Sequence, residues 1–166
     1  NDGYYRNDGN LSWYDEALQR GWTIGAAGSS DSHWADWGTS QEFRLAILAE
    51  SNTRKNLLEA LKRRRFYSTL DKDLKLSFEI NGFPMGSIIK PGNYKLSVKA
   101  TDGGLEKFIL ISLIKNGKTL VEWKMNNTNP EIDQKIITSS GDYYYVKVKQ
   151  EDADEAISSP IFIRNE

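Results

Sequence analysis

One short segment concentrates the residue types that do chemistry. "GSSDSHWADWG", residues 28–38, holds the single histidine, His33, with Asp31 two residues before it and Trp34 and Trp37 after it. In an extended chain residues i and i+2 point to the same side, so Asp31 and His33 are candidate ligands for one metal ion or for two adjacent ions. A carboxylate–imidazole pair suits a divalent zinc, manganese or iron ion. Gly28, Ser29 and Ser30 let the backbone come close to a ligand. Trp34 and Trp37 are candidate walls of a substrate pocket, against the alternative that they only pack the loop. The same Asp-x-His spacing also serves capping and surface hydrogen bonding. Ligand counting limits the reading. A catalytic zinc takes three protein ligands, whereas this chain has one histidine and no cysteine. It supplies part of a metal site at most. His33 is better used as a ligand than as a base for Ser29 or Ser30, so no catalytic residue is assigned.

The elements that would position this segment fall into two stretches. Before residue 71 helix and strand signals alternate. "LSWYDEALQRG" (11–21) spaces Leu11, Tyr14, Ala17 and Leu18 as a helix face, with Gly21 as the stop. "WTIGAAG" (22–28) has the short apolar profile of a buried strand, which places Asp31 and His33 beyond its carboxyl end, where α/β folds gather their chemistry. "FRLAILAE" (43–50) reads as a second strand. "TRKNLLEALKRRR" (53–65) reads as a helix with Thr53 as N-cap, an apolar face of Leu57, Leu58 and Leu61, and a solvated basic run Arg63–Arg65 in its last turn. "RFYST" (65–69) reads as a third strand. The alternation predicts βα units on a mostly parallel sheet.

After the charged connection "LDKDLK" (70–75) the helical period disappears. Alternating runs at 74–80, 94–100, 107–125 and 143–150, and a last one at 158–164, are separated by "NGFP", Pro91-Gly92, Asn116-Gly117 and Gly141-Asp142. Asn-Gly accepts the positive φ of a type I′ hairpin turn. Strands with turns at this spacing describe an immunoglobulin-like β-sandwich. Tyr143, Tyr144 and Tyr145 with Trp123 could form a carbohydrate platform or ordinary cross-strand packing, and period-2 alternation sets Tyr144 opposite to the other two.

The 166 residues include 22 Lys and Arg against 23 Asp and Glu, a formal net charge of −1, which excludes the basic excess of a nucleic-acid binder. No apolar run approaches the roughly 20 residues of a membrane span. Residue 1 is Asn, and the opening "NDGYYRNDGN" is polar turn chemistry. Seventy residues of α/β are too few to close a barrel, so the expectation is that residues 1–70 continue a larger preceding domain and that 71–166 form a complete sandwich. The asparagine- and tyrosine-rich composition of the second stretch points to a bacterial, extracytoplasmic setting.

"ALQRGWTIGAAGSSDSHWADWG", "TRKNLLEALKRRRFYST" and "SSPIFI", in that order, resemble the C-terminal part of PHP-domain (polymerase and histidinol phosphatase-like) metal-dependent hydrolases of the CehA/McbA-like branch. The resemblance implies an α+β chain, in which the C-terminal α/β fragment of a (β/α)7 barrel precedes the sandwich. It implies a phosphoesterase or other ester hydrolase whose last metal motif is Asp31 and His33. The remaining ligands would lie in the missing N-terminal part of the same polypeptide, and the substrate would be a small phosphoester or ester. This chain would be inactive alone. The other reading is a non-catalytic β-sandwich that binds or docks to carbohydrate or protein.

Overall fold

The computed structural model describes residues 13–28, 33–39 and 43–165. Its framework is a pair of antiparallel sheets packed face to face. The smaller sheet joins β3 (Lys75–Ile80), β4 (Phe83–Pro84), β6 (Asn93–Thr101) and β9 (Glu131–Ile137) in the order β4-β3-β6-β9. The larger holds β1 (Arg44–Ile47), β2 (Phe66–Thr69), β5 (Ile88–Ile89), β7 (Phe108–Lys115), β8 (Lys118–Asn127), β10 (Tyr143–Gln150), β11 (Glu155–Ser158) and β12 (Ile161–Ile163). Inward residues of both sheets, among them Phe78, Leu96, Val98, Ile111, Leu113, Tyr144 and Val146, form the main core. Alternation places them there, because every second side chain of a strand shares a face.

The expected α/β barrel fragment is overturned. β1 and β2 are antiparallel, with Arg44 opposite Thr69 and Ile47 opposite Phe66, and β2 continues antiparallel onto β11 through Ala156, Ile157 and Ser158. The one parallel pair among the described residues is β12 with β5. Helix–strand alternation misled because a helix can also connect two neighbouring antiparallel strands. α2 (Arg54–Lys62) does so between β1 and β2. Its N-cap is Thr53, whose hydroxyl accepts from the Asn56 amide at 3.3 Å. The described residues are mostly β, a β-sandwich-like fold with two short helices among them.

Strand β10 organises the larger sheet. One edge pairs with β7; the other pairs first with β12, at Tyr143 and Tyr144, and then with β11, at Lys147 to Lys149. β11 and β12 thus run end to end along one edge, joined at Ser159-Pro160. Tyr144 faces the main core, while Tyr143 and Tyr145 face the opposite side. That outer side is covered by α1 (Trp13–Gln19) and by residues 22–28: Leu18, Ala26, Ile114, Tyr143, Tyr145, Ile157 and Phe162 make a second core. All three tyrosines are buried, so they form no carbohydrate platform.

The first helix ends as its sequence predicts. Gly21 has φ 86°, its amide donates to Leu18 O and the Trp22 amide to Ala17 O, a Schellman closure. Residues 22–28 are buried in part but form no strand. Serine side chains bond this backbone instead of a ladder: the Ala26 amide donates to Ser159 Oγ at 3.1 Å, and Ser68 Oγ donates to Ala26 O at 2.6 Å. Ser159 Oγ in turn donates to Phe66 O at 2.6 Å. Gly25 is required here, since a Cβ would sit 2.5 Å from the Phe66 ring and 2.6 Å from Ser159 Oγ.

The Asn116-Gly117 turn has φ of 52° and 76°, the doubly positive geometry expected for its hairpin. It is tied to β10 by Asp142. That carboxylate accepts from Asn116 Nδ2 and the Ser139 amide at 2.9 Å each, and pairs with Lys115 Nζ at 2.8 Å. Burial alone would push the Asp142 carboxyl up. Lys115, Ser139 and Asn116 outweigh burial and hold it below the usual carboxylate range.

Two outcomes follow from these contacts. Asp142 has a lower pKa folded than unfolded, so its contribution is complete above the ordinary Asp range and is lost as pH falls through the lower value. Asp142→Asn should cost about 2 kcal/mol near neutrality and flatten the acid limb of a melting-temperature profile below about pH 4; an unchanged acid limb would contradict this. Ser159→Ala should cost about 1–3 kcal/mol in denaturant unfolding, because it strands the buried Ala26 amide; a neutral effect would contradict the assigned role.

Candidate functional site

The residues singled out from the sequence are only partly placed. Asp31 lies outside the described residues. His33 is exposed at the start of a turn over residues 34–39. That turn is closed by the Thr39 amide and hydroxyl donating to Asp36 O at 3.0 and 2.8 Å, with Gly38 at φ 79°. Trp34 and Trp37 are 78% and 72% exposed. Trp13 and Trp22, at the two ends of α1, are 71% and 62% exposed. α2 buries only Ala60 and leaves Leu58 and Leu61 of its apolar face in solvent. Residues 13–61 therefore carry a discontinuous apolar surface that the sandwich does not cover.

The basic run after α2 divides. Arg63 pairs with Glu59 at 2.7 Å on the surface. Arg64, at φ 58°, turns inward, donates to Gly86 O at 3.1 Å and lies over the Phe162 ring at 6.0 Å. Burial first, and Arg164 second, lower its pKa. The expectation of a wholly solvated basic end fails at this residue.

A second constellation, unread in the sequence, sits at one end of the sandwich. Asp71 follows β2, Asp102 follows β6, Glu106 precedes β7 and Gln150 ends β10. One carboxylate oxygen from each of Asp71, Asp102 and Glu106 lies within 4.8 Å of the others, the one such group among the described residues. Asp71 Oδ1 is fixed by the Asp73 amide at 3.0 Å and Asp102 Oδ1 by the Glu106 amide at 2.7 Å. The remaining oxygens converge on Gln150, whose Nε2 is 3.2 Å from Asp71 Oδ2, 3.1 Å from Asp102 Oδ2 and 3.5 Å from Glu106 Oε2. Desolvation first, then the Asp152, Asp102 and Asp71 carboxylates, push Glu106 up to about 7. The only legible signal was that each acid adjoins a strand end. Their meeting depends on strand order, which spacing does not reveal.

Like charges this close oppose folding. With divalent cations chelated, Glu106→Gln should raise the melting temperature at pH 8; an unchanged or lower value would contradict the repulsion inferred here.

No family model matches the chain. Over 136 residues it is 32% identical to an uncharacterized protein of Chlamydia muridarum (strain MoPn / Nigg) and to one of Chlamydia pneumoniae, and 29% identical to one of Chlamydia trachomatis. Each alignment covers 71% of this chain and 22% of the relative, so the chain spans about a fifth of the length of the curated relatives it matches.

Proposed function

We propose that this chain is a non-catalytic β-sandwich docking module whose tryptophan-bearing N-terminal segment packs on another protein surface. The observation that carries it is the exposure of Trp13, Trp22, Trp34 and Trp37 together with Leu58 and Leu61 of α2. Large apolar side chains concentrated on one stretch mark interaction surfaces, and tryptophan is the residue most enriched among binding anchors. Its occupant in this reading is the rest of a longer polypeptide, since the matched region makes up 22% of each relative. A protein partner is preferred to carbohydrate because Tyr143, Tyr144 and Tyr145 are buried. The β-rich fold of the described residues fits this reading.

Competition tests it. The matched segment excised from the Chlamydia muridarum protein should rebind the remainder of that protein in trans, and this chain should compete. The double variant Trp34→Ala, Trp37→Ala should compete at least ~10-fold less well. Failure of the excised segment to rebind would overturn the proposal, as would hydrolysis of p-nitrophenyl phosphate by this chain that is abolished in His33→Ala.

A further inference from the structure

We propose that the outer edge of β1 accepts an added strand, an extended segment of the longer polypeptide that bonds the backbone of Leu45 and Ile47. This rests on the docking reading above and supplies its backbone contacts. The other sheet edges among the described residues are guarded. β8 carries Lys118, Glu122 and Lys124 and two register shifts against β7. β9 carries Glu131, Asp133 and Lys135. β4 and β5 are two residues long, and β4 ends in Pro84. Charge, irregular register, shortness and proline keep strand edges from pairing. Beyond Arg44, β1 carries no charge, proline or register shift: residues 45–49 read Leu-Ala-Ile-Leu-Ala. Such a run belongs to a strand covered on both faces, yet β1 is only half-buried and ends the larger sheet.

The hydrogen-bond phase says which groups await a partner. The Leu48 amide donates to Arg65 O at 2.8 Å, so Ala46 and Arg44 also aim their backbone groups at β2, and Leu45 and Ile47 aim theirs outward. The far side of β2 agrees. Phe66, opposite Ile47, accepts from the Ser159 amide at 3.2 Å and so faces away from β1. Ala46 and Leu48 turn to the main core. Beside them a cleft of about 340 Å³, lined also by Tyr67, Leu76 and Thr101, opens toward the smaller sheet. Strand addition draws affinity from backbone bonds and specificity from such a cleft, which takes an apolar side chain of the added strand. The edge is continuous with the tryptophans: Arg44 Nη2 donates to Gly38 O at 3.3 Å, which sets the turn bearing Trp34 and Trp37 at the start of β1. The occupant is placed in the longer polypeptide because the matched region makes up 22% of each relative.

The test is hydrogen exchange of this 166-residue chain, alone and with the remainder of the Chlamydia muridarum protein, alongside the competition assay. The Leu45 and Ile47 amides should exchange freely alone and become protected in the complex. Ile47→Pro removes one outward amide where an edge strand tolerates proline; Ile47→Ala keeps the amide and removes the side chain. Ile47→Pro should compete at least ~10-fold less well than Ile47→Ala, with strand-type circular dichroism retained. Should the proline variant fail to fold, the exchange of the wild type decides. Equal competition by the two folded variants, or binding without protection at Leu45 and Ile47, would overturn strand addition while the docking reading stands. Protection of both amides in the chain alone would also overturn it, because the chain's own residues would then cover the edge. Concentration-dependent dimers that Ile47→Pro abolishes would replace the occupant by a second copy. Absence of competition by the wild type would sink both proposals.

Discussion

Strand β10 must be covered on both faces. Tyr143, Tyr144, Tyr145 and Val146 are consecutive and all buried, so neither face of the strand can be left to water. The second sheet covers Tyr144 and Val146, and α1 with residues 22–28 covers Tyr143 and Tyr145. Burying an aromatic ring is worth several times the thermal energy, so the N-terminal segment is held wherever β10 is formed. Polar contacts fix its orientation. Tyr145 OH donates to Asp15, Tyr14 OH donates to Ser158 O, and the Tyr14 and Tyr145 rings meet edge to face at 5.6 Å.

The Ser158-Ser159-Pro160 junction translates this constraint along the sheet. Ser158 Oγ accepts from the Val146 amide at 3.0 Å, which keeps β10 bonded where β11 gives way to β12. Pro160 has no amide to satisfy, and its carbonyl accepts from Gly86 at 2.9 Å. A Cβ at Gly86 would come within 2.2 Å of Arg63 O, so the turn bearing β5 also rests against the end of α2. Core, junction and helix are therefore coupled, and Trp13 and Trp22 flank a helix that is packed on this body.

Much of this was legible. Asn116-Gly117 announced its turn, Thr53 and Gly21 marked helix ends, and the alternation in "YYYVKVKQ" placed Tyr144 opposite its neighbours. The failures have physical causes. "WTIGAAG" is apolar and buried in part, chiefly at Ala26, but burial does not imply pairing, and serine side chains took hydrogen bonds a ladder would have made. The order helix–strand says nothing about whether β1 and β2 run parallel. Leu58 and Leu61 are spaced as a core face, yet only a body outside the described residues could cover them. The acidic cluster was hidden because positions 71, 102, 106 and 150 meet only through sheet topology. Asp31 lies outside the described residues, and the metal role expected for it with His33 stays with the sequence.

The central claim is that the N-terminal segment and the sandwich fold as one body around β10. Hydrogen exchange followed by mass spectrometry tests it most directly. The Ala26 and Trp22 amides should show protection that is lost together with that of Tyr143–Gln150, both in water and as denaturant is added. Free exchange across residues 13–28 while β10 stays protected would contradict the account.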